Sequence, residues 1–235
     1  MRRCQQDLGV DSLSVVIPTL NEAQNIVAAL ERLRSSGFEK IVVADGGSGD
    51  GTRELVIGIP NVILVDAPRG RGQQIGAGVA ATRSPLVIVL HADTQLPAAA
   101  AQQILHAVTC ARVAGGCFRL NFDSPSPLLR VFAAATYFDS PFTTFGDQAF
   151  FFWRAAYEAA GGAPDWPLFE DVELRRRLMG QGRFVKLAAH VTTSARRFEA
   201  NGAVRNQLRN VALLLAYRLG WPPDRLARDY HQHRP

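Results

Sequence analysis

The chain has few cysteines, almost no lysine and no long uninterrupted apolar run. Cys4, Cys110 and Cys117 are the three cysteines of its 235 residues, and no two stand at a C-x-x-C spacing. That pattern indicates neither a disulfide framework nor a structural zinc site, and it fits a reducing compartment, so a cytoplasmic location is expected. No stretch approaches the roughly 20 uncharged apolar residues of a membrane span, and residues 1–8 hold no apolar core of signal-peptide length. A protein that is soluble, or at most peripheral to a membrane, is therefore expected. Two common nucleotide fingerprints are also missing. A dinucleotide fold carries G-x-G-x-x-G directly after its first strand, where Pro18-Thr19-Leu20-Asn21 stands here, and no G-K-[ST] phosphate loop occurs. Gly70-Arg71-Gly72 runs on to Gly76, one residue too long for that pattern.

Positive charge is almost all guanidinium. Lys+Arg number 26 against 21 Asp+Glu, a net +5, and Lys40 and Lys186 are the only lysines. Guanidinium favours bidentate contact with phosphate and carboxylate, but an excess this small implies no nucleic-acid partner. Length and a 47% hydrophobic content suit one α/β domain.

Periodicity divides the chain. Leu13 to Ile17 reads as a buried strand stopped by Pro18, and Asn21 as the cap of a helix from Glu22 to Arg34 with Ile26, Ala29, Leu30 and Leu33 at helical spacing. Strands are predicted at 40–44, 62–65 and 85–91, with helices at 52–56, 72–82 and from Pro97 to Thr109. Such alternation implies a parallel sheet with crossover connections. Beyond about residue 110 the pattern loosens into a strand at 116–122, a helix at 128–138, an aromatic strand at 149–153, a loop at 163–169 and a helix at 170–179. The fold class expected is α/β: a single domain with a Rossmann-like, mostly parallel sheet flanked by helices. Residues 13–110 would form a nucleotide-binding half, 111–200 a less regular acceptor-binding and catalytic half, and 201–235 a helical end.

Two aspartates carry the functional signal. Asp45 closes the strand Ile41-Val42-Val43-Ala44 and is followed by Gly46-Gly47-Ser48-Gly49-Asp50-Gly51-Thr52; Asp93 follows the strand that ends at His91-Ala92. An acid at the carboxyl edge of a parallel sheet faces the crevice where open α/β sheets bind ligands. The glycine-rich loop is pliant enough for backbone to approach a nucleotide, and Asp93 with Thr94 has the oxygen chemistry of a divalent-cation site.

Val16-Ile17-Pro18-Thr19-Leu20-Asn21-Glu22, Asp45 to Thr52, His91-Ala92-Asp93-Thr94 and Phe169-Glu170-Asp171 together resemble glycosyltransferase family 2 over roughly residues 13 to 200. More narrowly, Arg69-Gly70-Arg71-Gly72, Leu90 to Thr94, Gly146-Asp147-Gln148 and Thr193-Ser194-Ala195-Arg196-Arg197 resemble a bacterial subgroup associated with radical-SAM and selenoprotein-type domains. The resemblance implies a GT-A fold, a nucleotide-diphospho-sugar donor, Mg2+ or Mn2+, and inversion at the anomeric carbon. By position it places Pro18, Thr19, Glu22, Asp45, Gly47, Arg71 and Ala92 at the nucleotide, Asp93 on the metal, and Asp171 as catalytic base with Glu170 beside it. Gly146, Asp147, Gln148, Arg196 and Arg197 would face donor sugar and acceptor. Asp171 opens a predicted helix, whose dipole favours the ionised carboxylate by ~0.3–1 kcal/mol, too little to exclude a base.

Two positions depart from the family pattern. His91 stands where the commoner Asp-x-Asp motif has its first acid, and Gly76 stands where the subgroup carries asparagine, a glycine that would permit close helix packing. A catalytically degenerate nucleotide- or sugar-binding protein of the same fold is the alternative. A sugar-nucleotide pyrophosphorylase would show an N-terminal glycine-rich loop with a basic residue, which is missing. Residues 204–221 carry Leu208, Val211, Ala212, Leu215 and Leu219 on one helical face and Arg205, Arg209 and Arg218 elsewhere. Packing of that face on the domain is the expectation, and peripheral membrane contact the alternative.

Overall fold

The computed structural model describes residues 8–109, 112–196, 198 and 202–231. Strands β1 (Leu13–Thr19), β2 (Ile41–Asp45) and β4 (Leu86–Val89) are buried at every residue, as Val/Ile/Leu runs covered on both faces require. They pair in parallel, with β3 (Val62–Asp66) outside β2 at the sheet edge. The sheet continues through β5 (Thr94–Gln95), β6 (Val113–Phe122), β7 (Phe150–Trp153) and β8 (Arg183–Thr193), in the order β3-β2-β1-β4-β7-β6-β8-β5. β7 runs antiparallel to both β4 and β6, β6 and β8 are parallel, and β5 is antiparallel to β8.

Helices α1 (Ile26–Ser35), α2 (Thr52–Ile57), α3 (Arg71–Ala81) and α4 (Ala100–Thr109) connect the first half. In the second half lie α5 (Pro127–Ala135), α6 (Arg154–Ala159), α7 (Glu170–Met179), α8 (Ala203–Arg218) and α9 (Pro223–His231). Strand alternation splits the core into two layers. Val15, Ile17, Ile88 and Phe151 pack with Leu30 of α1 and Ile104 of α4; Val16, Val87, Phe150 and Phe152 pack with Ile75 and Val79 of α3 and with Leu174 and Leu178 of α7.

Several boundaries differ from the sequence pattern. α1 begins at Ile26, because Asn21 adopts φ 55° and the amides of Asn25 and Ile26 both donate to the Glu22 carbonyl, making a separate turn. Asn21 caps nothing; its side chain instead accepts the Gly49 amide. β6 starts at Val113, before the predicted 116, and α5 ends at Ala135, short of 138. β8 escapes the periodicity, since its exposed and half-exposed positions interrupt any apolar run.

Gly76 is not the close-packed glycine of α3. A Cβ there would come no nearer than 3.8 Å to the Tyr157 hydroxyl, whereas one at Gly78 would lie 2.2 Å from Val16 Cγ1 and one at Gly72 2.0 Å from the Pro164 carbonyl oxygen. At Gly72 the obstacle is backbone and cannot rotate away. Gly72→Ala is expected to lower stability in urea unfolding by about 1–3 kcal/mol through overpacking, while Gly76→Ala gains up to ~1 kcal/mol of helix propensity. Equal effects at the two sites would show that the 163–169 loop does not seat on α3.

Candidate functional site

The carboxyl ends of β1, β2 and β4, the start of α3, the turn before β7 and the start of α7 converge on one crevice. On the β2 side, the Asp45 side chain is wholly covered. It accepts the amides of Gly47 and Ser48 at 3.0 Å each, the Ser48 hydroxyl at 2.5 Å and Arg53 Nη1 at 3.1 Å. Burial raises its carboxyl, but the bonds from Ser48, Arg53 and Gly47 outweigh that and hold it below the usual carboxylate range. The glycine-rich loop is pinned rather than pliant: Asp50 accepts the Ala23 amide at 3.0 Å, and Asn21 N–H donates to the Ser48 hydroxyl at 2.8 Å. Gly47 stands exposed at its tip at φ 88°.

Pro18, Thr19 and Ala92 are buried, and the Thr19 hydroxyl donates to the Ile17 carbonyl at 3.0 Å. They form the floor of the crevice rather than exposed contacts. Glu22, half-buried, accepts from the Asn25 amide side chain. Gln74 was missed by the sequence reading. It is buried, and its Nε2 donates to the carbonyls of Thr19 at 2.5 Å and Ala44 at 3.2 Å, clamping the ends of β1 and β2. The only hint of this was a long polar side chain among the small residues of α3.

The opposite side of the crevice is built from separate segments. Glu170, 3% exposed, takes Arg71 Nη1 at 2.9 Å, an ion pair from α3 to α7. Burial raises the Glu170 carboxyl, Arg71 opposes that, and the neighbouring Asp171 charge adds to it. Asp171 is half-buried; its Oδ2 accepts the Gly146 amide at 2.6 Å, and its Oδ1 accepts the Val172 amide at 2.8 Å. A Cβ on Gly146 would sit 3.1 Å from Asp171 Cβ, so the turn needs glycine there to come this close. Phe169, immediately before Glu170, is left-handed at φ 64°, a strained state for a bulky residue. Tyr217 of α8 stacks on its ring at 4.9 Å.

Asp147 lies in the 3-10 turn Gly146–Gln148. Its Oδ1 is covered and has no hydrogen-bond partner. Burial pushes its carboxyl up to about 6; the charges of Asp171 and Asp93 add to this, and Arg71 opposes it. Asp93, half-buried, accepts the Thr94 hydroxyl at 3.3 Å. Gln148 has no exposed surface: its amide donates to the Thr143 carbonyl at 2.7 Å and accepts from the Cys117 thiol at 3.5 Å. It anchors the turn from behind, so its side chain does not face the crevice. Burial drives that thiol to about 12, which leaves it inert as a nucleophile. Arg196 is exposed beyond β8 and reaches Gln24 Oε1 at 3.4 Å, beside the β1–α1 corner. Arg197 lies outside the described residues.

Comparison with known proteins agrees with this architecture. The profile of Glycosyl transferase family 2 matches residues 14–157. Glycosyltransferase AglJ of Haloferax volcanii is 34% identical over 100 residues, 42% of this chain and 33% of that protein. Succinoglycan biosynthesis protein ExoA of Rhizobium meliloti is 43% identical over 70 residues, 27% of this chain and 21% of that one. The matched region thus spans a third or less of either relative. Among solved structures, S. aureus TarS 1–349 superposes with a TM-score of 0.63 at 15% identity, covering 87% of this chain and 65% of that one. Glucosyl-3-phosphoglycerate synthase from Mycobacterium tuberculosis, in complex with Mn2+ and UDP-glucose, gives 0.60 at 19% identity, covering 89% and 79%. These likenesses show a GT-A fold, and the chain belongs to glycosyl transferase family 2.

Proposed function

We propose that the chain transfers a sugar from a nucleotide-diphospho-sugar, with a UDP-hexose as first candidate, to an acceptor hydroxyl or carboxylate with inversion. The observation that carries this reading is the convergence of Asp93, Asp147 and Asp171 at one edge of the sheet, where buried Asp147 feels the charges of the other two. The solved neighbours support the donor class: the mycobacterial synthase binds UDP with Mn2+ or Mg2+, and TarS binds UDP-GlcNAc. The motif residues also support kinship with the radical-SAM and selenoprotein-associated subgroup. Cysteine spacing supports a cytoplasmic reaction, and residues 204–221 a peripheral membrane contact.

On the nucleotide side, Asp45 orders the loop that offers Gly47. Pro18, Thr19 and Ala92 form the floor, and Glu22 and Arg71 flank it. Asp93 would hold Mg2+ or Mn2+, with the unsatisfied Asp147 oxygen as further donor and the diphosphate supplying the rest. The fit is to an ion brought with its substrate, since no group of three His, Cys, Asp or Glu side chains among the described residues is arranged to hold one alone. When bound, the ion neutralises charge on the departing diphosphate as a Lewis acid.

Asp171 is the base in this reading, because Glu170 is covered and already paired with Arg71. Two backbone amides orient the Asp171 carboxylate and leave lone pairs for the acceptor. As the acceptor oxygen bonds to the anomeric carbon, its proton passes to Asp171, and the electrons of the breaking carbon–oxygen bond leave with the nucleoside diphosphate. Gly146 lets the turn approach Asp171, Gln148 secures it, and Arg196 and Arg197 are assigned to the donor and acceptor.

A thermal-shift panel of UDP, GDP, CDP, TDP and ADP with Mn2+, Mg2+ or EDTA tests the donor. One nucleotide is expected to stabilise by ~2.7 kcal/mol at a hundredfold excess over its Kd, with the metal-dependent part lost in EDTA and in Asp93→Ala. Binding without any transfer would favour the degenerate binding protein. Asp171→Asn is expected to slow transfer by roughly 10²–10⁴-fold while the nucleotide shift survives; a wild-type rate would overturn the base assignment.

The Asp147 carboxyl titrates higher in the folded chain than in the unfolded one, so its contribution favours folding at acid pH and is lost as pH rises through about 6. Asp147→Asn in EDTA is therefore expected to raise stability at pH 7 by on the order of 3 kcal/mol, with the gain vanishing below pH 4. Melting curves that show no pH-dependent gap between the two proteins would mean Asp147 is solvated.

A further inference from the structure

α8 is amphipathic, but its leucine stripe faces outward. Leu214 is buried on the inner face, where Tyr217 also meets Trp166 edge-on at 6.2 Å. The opposite face carries Val204, Leu208, Val211, Leu215 and Leu219, all exposed, with Leu208 66% and Leu219 81% open to solvent. The expected packing of Leu208, Val211, Ala212, Leu215 and Leu219 on the domain is thus overturned: the shorter inward strip of Leu214 and Tyr217 holds the helix instead. Phe142, also exposed, adjoins this surface, with the Arg218 guanidinium 5.6 Å from its ring centroid.

Charge identifies the surface that this face fits. α8 contains Arg205, Arg209 and Arg218 and no acidic residue, and Arg205 and Arg218 are exposed beside the leucines. Trp221 follows, half-exposed, with Arg225 4.4 Å from its ring centroid. An apolar stripe edged by arginines and ended by tryptophan suits the interfacial plane of a bilayer with anionic headgroups, where alkyl stems lie among the lipids and guanidinium groups meet phosphate. A two-fold pairing of this face would instead set arginine against arginine, Arg205 facing Arg218 or each its own counterpart, with no carboxylate on the helix to answer them. No helix among the described residues is long and apolar enough to cross a membrane, so the contact is with the surface.

We infer that α8 docks the protein flat on an anionic lipid bilayer. Resting on the sugar-transfer reading of the crevice, this names the acceptor class as an amphiphile held in that surface. Tyr217 on the inner face of α8 stacks on Phe169, which directly precedes Glu170 and Asp171, so the docking helix touches the residue that leads into the catalytic carboxylates.

Flotation of the full chain with phosphatidylglycerol-containing vesicles, against pure phosphatidylcholine and at low and high salt, tests the docking. Binding is expected only to the anionic vesicles, weakening with salt. Arg205→Gln with Arg218→Gln should reduce it about 25-fold, fivefold for each arginine, and Leu208→Asp with Leu215→Asp should abolish it. Both double variants alter exposed side chains and should keep the nucleotide-induced thermal shift, showing an intact fold. Failure of the wild type to float, equal binding to neutral vesicles, or full binding by the leucine variant would overturn the proposal. So would sedimentation showing a wild-type dimer that the leucine substitutions dissociate. Loss of the nucleotide shift with flotation intact would remove the sugar-transfer reading and leave docking standing.

Discussion

The ion pair between Arg71 and Glu170 joins the two halves of the chain. A carboxylate as covered as Glu170 is costly unless a cation meets it, and removing one partner of a fully buried pair costs about 3–5 kcal/mol. Arg71 is 40% exposed on its side chain, so the cost here falls below that range. The geometric role is the larger one. Arg71 opens α3 and Glu170 opens α7, so the pair sets where the second helix begins and therefore where Asp171 points. Gly72, next in sequence, lets the Pro164 carbonyl come close to α3. Phe169 completes the junction in a left-handed conformation worth about 1–3 kcal/mol of strain. The stack on Tyr217 and the anchored Glu170 hold it there.

Electrostatic load gathers at the same place. Strand ends and helix starts converge at the carboxyl edge of the sheet, and the chain puts acids at the end of β2, after β4, in the turn before β7 and at the start of α7. Asp45 is neutralised locally by Arg53 and the loop amides, so it acts as a structural anchor for the glycine loop. Asp147 lacks such a partner for its Oδ1 and is pushed toward neutrality. An uncompensated carboxyl in a crevice is poorly suited to folding and well suited to meeting a cation or a proton in transit.

Much of the first half was legible. Buried parallel strands read as continuous apolar runs, because these elements have a single packing environment along their length. Asn21 misled the reading of α1, since a residue typical of caps also tolerates a positive φ and here uses it to tie two loops together. In the second half, β8 mixes buried, half-buried and exposed positions, so no one period dominates it. Of the candidate site, the strand-end and helix-start acids were visible because their positions follow from local pattern. Gln74 and the pairing of Arg71 with Glu170 were not, since each joins residues distant in sequence, and neither was Arg53, whose partner Asp45 lies on another element.

Local pattern set which residue types are available and where the strands end: an acid closing β2 and another after β4, a glycine-rich loop, and paired acids at the start of α7. Those features depend on neighbours a few residues apart, and local periodicity records them. Tertiary structure alone decided that Gln148 faces inward, that Asp147 loses its solvent, and that the leucine face of α8 looks outward. Burial is set by which surfaces meet across the fold, and an amphipathic helix has the same sequence whichever face the domain covers.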